Sequence, residues 1–143
     1  MKKKHIRGFS LMEMLIVVAI VAILTAVALP SFLDSIRKAR RSDAGDALLY
    51  IQSLQEKYRA NHTTFGTIVQ IGYDTGSAPY PSNEGHYNMT VTVGSAVAYT
   101  ITATATGGQA NDTSNPVNCT SLTLVVSATD PRGTKNPAAC WSN

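Results

Sequence analysis

The stretch Gly8-Phe9-Ser10-Leu11-Met12-Glu13-Met14 decides the fold of the N-terminal half of the chain. It opens an apolar run that continues through residues 15–29, with Thr25 as the one polar interruption of that continuation. A carboxylate inside such a run costs about 2.5–3.5 kcal/mol on membrane-insertion scales. Glu13 is therefore a candidate functional residue, and a cationic partner for it has to be identified.

The apolar segment is long enough to cross a membrane. From Phe9 to Leu33 it covers 25 residues, which as an α-helix would span about 37 Å, more than the ~30 Å hydrocarbon core of a bilayer. A secretory signal peptide fits less well, because its apolar region is shorter and ends in a small-residue cleavage site. An uncleaved signal anchor gains nothing from an acid near its start. We predict a transmembrane or filament-core helix over 9–33.

A short basic leader, Met1-Lys2-Lys3-Lys4-His5-Ile6-Arg7-Gly8, precedes the apolar run. The leader, the Gly8-Phe9 pair and the acid five residues after Gly8 resemble the class III signal of type IV prepilins. The resemblance implies that a prepilin peptidase cuts between Gly8 and Phe9 and methylates the new amine of Phe9. It also implies an assembly role for Glu13, as the partner of that amine in the same subunit or in a neighbour.

The helix is expected to continue to Asn61 in an amphipathic form. Residues 34–61 place apolar side chains near i, i+3, i+4 and i+7 spacing and charged ones between them. Pro30 lies inside the helix and predicts a kink. Type IV pilins carry a proline at this offset, and many carry a second one about twenty residues later, where this chain has Tyr50.

Period-two alternation predicts strands in the C-terminal half. It runs over residues 87–93, 97–105 and 121–126, and Gly94-Ser95 predicts a hairpin turn between the first two. The last ten residues are expected to return to the sheet. We predict an α+β fold, the type IV pilin ladle, in which a long N-terminal helix packs on an antiparallel β-sheet of about four strands. The expected organisation is a leader peptide (1–8), a transmembrane or filament-core helix (9–33), the amphipathic half of the helix (34–61) and a globular β head (62–143).

Cys119 and Cys140 are the only cysteines. A lone pair in the soluble half predicts a disulfide in an oxidising compartment, closing a C-terminal loop worth about 3 kcal/mol. Similar basic clusters on both sides of the apolar run leave the orientation of the chain undecided. The predicted disulfide decides it, because an oxidising compartment places the head in the periplasm. No Cys-x-x-Cys pair or histidine cluster suggests a metal site, and no cofactor is expected.

Charge and motif content argue against an enzyme or a general polyanion binder. The chain has 12 basic and 9 acidic residues, but four basic ones lie in the leader, so the mature side-chain charge is −1. No nucleophile–histidine motif, P-loop or dinucleotide fingerprint is present, so no catalytic residue is predicted. The basic cluster Arg37-Lys38-Ala39-Arg40-Arg41 has three interpretations: a membrane-interface anchor, ion pairing with neighbouring subunits, or DNA capture.

The C-terminal segments Cys119-Thr120-Ser121-Leu122-Thr123-Leu124 and Ala138-Ala139-Cys140-Trp141 resemble PilE-type minor pilins. The resemblance implies a structural subunit of type IV pili, a minor pilin acting in assembly, motility or adhesion. The alternatives are a DNA-binding uptake pilin and a type II secretion pseudopilin. Expected partners are other pilin subunits, prepilin peptidase, the inner membrane and the pilus assembly machinery, with nucleic acid less favoured. The protein would sit in the inner membrane before assembly and in the cell-surface pilus afterwards.

Overall fold

The computed structural model describes residues 9–74, 76, 78–113 and 117–141. The predicted leader 1–8, with Gly8, lies outside these residues. The chain divides into two compact units, Met1–Ser35 and Ile36–Asn143. The N-terminal unit is helical from Leu11 onward, and the C-terminal unit contains the rest of the same helix and the strands that the structure describes.

One α-helix, α1, runs from Leu11 to Arg59 and continues through Pro30. These bounds confirm the predicted helix to within two residues at each end. Glu13 lies in its first turn, while Lys57 and Arg59 lie in its last turn, so the charges at both ends complement the helix dipole. The N-terminal part of α1 is long and apolar enough to cross a membrane, and none of its apolar window is buried within the chain.

Five strands form one antiparallel sheet in the order β1-β2-β3-β4-β5. The strands are β1 Tyr80–Pro81, β2 Tyr87–Ser95, β3 Ala98–Ala105, β4 Ser121–Val126 and β5 Thr134–Asn136. Strands β2, β3 and β4 are the three that alternation predicts. The predicted turn at Gly94-Ser95 is wrong by two residues, since both residues belong to β2 and the turn lies at residues 96–97. The return of the C-terminus to the sheet is confirmed by β5, which pairs with β4. The additional strand β1 has two residues, too few for a period-two pattern.

The register brings the apolar side chains of the sheet onto one face. Met89 pairs with Ala103, and Ile101 pairs with both Val91 and Leu124. The buried stripe of α1 shares their core, which confirms that the amphipathic half of the helix covers the sheet. The fully or almost fully buried core residues include Ala44, Ala47, Leu48, Ile51, Tyr87, Met89, Tyr99, Ile101, Ala103, Leu122, Leu124 and Val126. The opposite face is polar, as expected for a sheet with one wet side.

The turn between β4 and β5 depends on a glycine. Gly133 has φ +84° and donates its N–H to the Asp130 carbonyl oxygen at 3.3 Å. A Cβ at this position would lie 2.8 Å from Leu124 Cδ1, so both the backbone conformation and the core exclude a side chain. The turn at residues 130–133 therefore packs closely against the core residues of β4.

The buried Tyr99 supplies a test of the core. Its ring packs edge-on against Phe65, and its hydroxyl has no hydrogen-bond partner among the described residues. Burial and the nearby Glu56 raise the pKa of the hydroxyl, which stays protonated. An unsatisfied buried hydroxyl costs about 1–3 kcal/mol. We expect Tyr99→Phe to leave the free energy of unfolding unchanged or to raise it, measured by urea unfolding of the full chain in detergent.

Ile101→Val is the control for this experiment, because it removes one buried methylene and should cost about 0.5–1.5 kcal/mol. A loss of stability in Tyr99→Phe equal to that of the control would contradict the assignment of an unpaired hydroxyl.

Candidate functional site

The predicted assembly residues lie at the start of the N-terminal unit. Phe9 is 79% exposed and precedes α1, and Glu13 is exposed in its first turn. Between residues 9 and 36 the sequence contains no Lys, Arg or His. No side chain of this segment can therefore neutralise Glu13. The cleavage position at Gly8 lies outside the described residues.

In the C-terminal unit a buried ion pair joins α1 to the loop before β4. Arg41 donates from Nε to Asp112 Oδ2 and from Nη2 to Oδ1, both at 2.7 Å. The Arg41 side chain is 10% exposed and that of Asp112 is 1% exposed. The pair is thus bidentate and desolvated, the geometry in which Arg and carboxylate interact most strongly. The three interpretations of the basic cluster all assigned Arg41 to a partner outside the subunit. The structure corrects them for Arg41, because Asp112 of the same subunit neutralises its charge.

Gln109, on the 3₁₀ helix Gly107–Asn111, extends this pair into a network. Its amide nitrogen lies 3.0 Å from Asp112 Oδ2, 2.9 Å from the Tyr87 hydroxyl and 3.1 Å from the Arg37 carbonyl oxygen. Burial raises the pKa of Tyr87 to about 12. Because this folded-state pKa lies above the ordinary value of 10.0, the contribution of Tyr87 to stability is complete below pH 10 and is lost as pH rises towards 12.

A second buried carboxylate fixes the β1–β2 loop to the helix. Asp43, 5% exposed, accepts hydrogen bonds from Ser82 Oγ at 2.6 Å, Glu84 N at 3.0 Å and His86 N at 3.2 Å. Three donors replace the water that this carboxylate loses on burial. Asp43 and the Arg41–Asp112 pair therefore attach the β1–β2 loop and the β3–β4 loop, which lie at the same end of the sheet, to a single turn of α1.

The disulfide between Cys119 and Cys140 is present, with a Cα–Cα distance of 5.6 Å, which confirms the predicted pairing. Beside it, the Lys135 ammonium lies 4.8 Å from the centre of the Trp141 ring. Lys135 is exposed, and Arg132 is exposed in the β4–β5 turn. Lys135 thus lies near the disulfide and Arg132 lies at the other end of β4, and both cations are accessible at the surface. Lys135, Trp141 and Cys140 also line a groove of about 190 Å³ against α1.

The remaining basic residues of α1 differ in their environment. Lys38 is exposed and Arg40 is half-buried, with its Nη1 near Gly108. Neither forms an ion pair with any described residue. Within the described part of the chain, no group of three His, Cys, Asp or Glu side chains could hold a metal ion.

Comparison with known proteins decides the family. A family model described as type IV minor pilin ComP, DNA uptake sequence receptor, matches residues 30–123. The chain belongs to this family of type IV minor pilins. A second model, the prokaryotic N-terminal methylation motif, matches residues 3–29 of this pilin and bears out the interpretation of the N-terminus as a class III signal.

Curated relatives agree. The pilin is 30% identical over 88 residues to the type IV major pilin protein PilA of Myxococcus xanthus, covering 62% of this chain and 39% of that protein. It is 35% identical over 91 residues to PilE1 of Neisseria gonorrhoeae, covering 64% and 41%. It is 29% identical over 105 residues to PilA4 of Thermus thermophilus, a wide-pilus major component, covering 73% and 78%. The alignments with the first two span about two fifths of those proteins.

The sequence did not reveal the two buried carboxylates as structural anchors. Asp43 lies beside the buried Ala44 and Ala47 on the apolar stripe of α1. That position was the one feature of the sequence that indicated a buried carboxylate. Asp112 lies in a polar segment without regular apolar alternation, where a buried acid has no periodic signature. Its partner Arg41 was singled out, but as a surface cation.

The Arg41–Asp112 pair yields a stability prediction. Asp112→Asn should leave the guanidinium buried without a counter-charge and lower the free energy of unfolding by about 3–5 kcal/mol. The measurement is urea unfolding of the full chain, followed by Trp141 fluorescence.

A double variant, Arg41→Met with Asp112→Leu, is the matched control, because removing both charges removes the uncompensated ion. It should recover most of the loss. Equal destabilisation by the single and double variants would show that packing at this site, rather than charge, decides its stability.

Proposed function

We propose that this pilin is a minor subunit that binds DNA at the cell surface for uptake. The observation that carries the proposal is the match of residues 30–123 to a family described as a DNA uptake sequence receptor. The mature side-chain charge of −1 argued against DNA binding in the sequence analysis. That argument is not decisive, because DNA binding requires only a local cluster of cations.

The region that we assign to DNA is the surface along β5, which runs from Arg132 in the β4–β5 turn to Lys135 and Trp141 near the disulfide. Its two exposed cations supply phosphate contacts, and the Trp141 ring holds Lys135 at the surface through a cation–π contact. Gln52 fixes the neighbouring turn, donating to the Arg132 carbonyl oxygen at 3.1 Å. The disulfide attaches this surface to β4. Two phosphate contacts imply modest affinity and a shallow salt dependence, with a slope of log affinity against log salt of about −2.

The test uses the full mature chain in detergent and a fluorescent duplex from the genome of its own organism. We expect the double variant Arg132→Gln, Lys135→Gln to bind at least about tenfold more weakly in anisotropy titrations. The slope of log affinity against log salt should fall by about one for each lost phosphate contact. Lys57→Gln, which removes a cation at the far end of α1, should keep wild-type binding. Unchanged affinity and salt slope in the double variant would refute the assigned surface.

We also propose the maturation and assembly roles of the N-terminus. Cleavage after Gly8 creates an amine on Phe9, which is then methylated and pairs with Glu13. The absence of any Lys, Arg or His between residues 9 and 36 supports this pairing, because the new amine is the cation that the segment itself can provide. The head lies in the periplasm before assembly, an orientation supported by the disulfide. Prepilin peptidase and other pilin subunits are the corresponding partners.

Glu13→Val tests the assembly role. The variant should insert into the membrane at least as well as wild type, because the segment becomes more apolar by about 2.5–3.5 kcal/mol. Its incorporation should fall, since the Phe9 amine is left buried without a counter-charge. The measurement is the ratio of this pilin in sheared filaments to that in membranes, with Glu13→Asp expected to be intermediate. Incorporation of Glu13→Val at the wild-type level would contradict the assembly role of Glu13. An intact mass that retains residues 1–8 would contradict the proposed cleavage after Gly8.

A further inference from the structure

A groove between α1 and β5 places one carboxylate beside the surface that we assign to DNA. We call it the β5 groove, and its volume is about 190 Å³. Asp46 lines it from α1, while Lys135 and Trp141 line it from β5 and the segment that follows. Arg41 also lines it, but the carboxylate of Asp112 neutralises its guanidinium. Among the described lining residues, Asp46 and Lys135 therefore carry the charges that a ligand in this groove meets.

Lys135 reaches the groove from the edge of the sheet. It pairs with Leu124, whose side chain is buried in the core, so the Lys135 side chain stands on the face of the sheet that α1 covers. The centre of the Trp141 ring lies 4.8 Å from its ammonium nitrogen, a cation–π contact that restricts the position of the charge. A DNA phosphate bound to Lys135 therefore lies at the mouth of the groove, and the bases next to that phosphate come within reach of Asp46.

The carboxylate of Asp46 is available to a ligand. Asp46 is exposed, and no described residue forms an ion pair or a hydrogen bond with its carboxylate. A carboxylate offers only acceptor oxygens, so it repels a phosphate and binds an N–H donor. Where DNA lies along β5, the part of it that faces Asp46 must therefore supply a donor.

The donors that DNA offers are the amino groups of its bases. In the major groove cytosine presents its N4 amino group as a donor, whereas guanine and thymine present acceptors. Adenine has an amino donor, but its N7 acceptor lies beside it and repels a carboxylate. Aspartate and glutamate accordingly accept hydrogen bonds from cytosine N4 in protein–DNA contacts. The Asp46 carboxylate therefore favours cytosine among the four bases.

We propose that Asp46 recognises DNA sequence at the β5 groove by accepting a hydrogen bond from the N4 amino group of a cytosine. The inference rests on the DNA binding proposed above and adds selectivity to it. Arg132 and Lys135 bind phosphates, which are the same in every sequence, so they position the duplex without selecting it. The Asp46 carboxylate selects in two ways, because it binds a cytosine in the correct position and repels a phosphate or a base acceptor in a wrong one.

Selection from a pool of random DNA duplexes tests this role. The full mature wild-type chain and Asp46→Asn, each in detergent, separately enrich the duplexes that they bind, and these are sequenced. We expect the wild type to enrich a motif with one position that accepts cytosine and rejects thymine. An Asn side chain carries both an acceptor and a donor, so it can pair with cytosine N4 or with thymine O4. The motif of Asp46→Asn should therefore accept cytosine and thymine alike at that position and keep its other positions.

Anisotropy titrations with fluorescent duplexes measure the size of the effect. Replacing the C·G pair of the enriched motif by T·A should weaken wild-type binding about fivefold or more. The same replacement should change the affinity of Asp46→Asn by less than about twofold, because the Asn side chain suits both bases. A duplex of scrambled sequence should bind Asp46→Asn about two- to fivefold more tightly than it binds wild type, since the variant no longer repels phosphate.

Glu84→Gln is the matched control. It removes the same charge from an exposed side chain in the β1–β2 loop, at the opposite edge of the sheet from β5, and should reproduce the wild-type motif and affinities. Circular dichroism and an intact disulfide verify that each variant is folded. The same motif from wild type and Asp46→Asn, or no motif from wild type, would overturn the recognition by Asp46 and leave DNA binding itself intact. Unchanged binding by Arg132→Gln, Lys135→Gln would instead remove the DNA surface, so the two proposals fail in different experiments.

Discussion

The need to compensate buried charge organises the C-terminal unit around one turn of α1. Arg41 and Asp43 are two residues apart, and each reaches a different loop. Arg41 holds Asp112 ahead of the disulfide, and Asp43 holds the backbone at residues 84 and 86 after β1. Either carboxylate would be costly to bury alone, so each loop is stable only in the position that supplies its partners. The helix thereby sets the positions of the irregular segments as well as covering the sheet.

The periodic apolar patterns of the sequence predicted the regular elements of the fold. The 49-residue helix and strands β2 to β4 have regular apolar patterns, because each presents one face to the same core. The disulfide was predicted because a chain with two cysteines allows one intramolecular pairing. Strand β1 could not be predicted, since its two residues carry no pattern. The return of the last ten residues to the sheet was predicted, but the bounds of β5 were not, because its three residues are defined by the ladder with β4 and not by their own composition.

The candidate sites were predicted less completely, for a physical reason. A sequence shows that Arg41 and Asp112 are charged, but 71 positions separate them and only the fold reveals that they meet. By contrast, Glu13 could be selected as a candidate residue from the sequence alone, because an acid within an apolar run is anomalous whatever the tertiary structure. Charge is informative in a sequence where it breaks a pattern, and uninformative where the pattern is absent.

The edges of the sheet restrict how subunits can join. Strands β1 and β5 have two and three residues, so each edge offers few unpaired backbone groups to another chain. Subunits of this pilin therefore have no extended β-ladder through which to fuse, unlike the chains of a cross-β fibril. A fibre built without shared strands is held together by side-chain contacts. One subunit can lose these contacts without disturbing the others. Such a polymer can be dismantled and its subunits used again, which a fibre with continuous strand pairing does not permit.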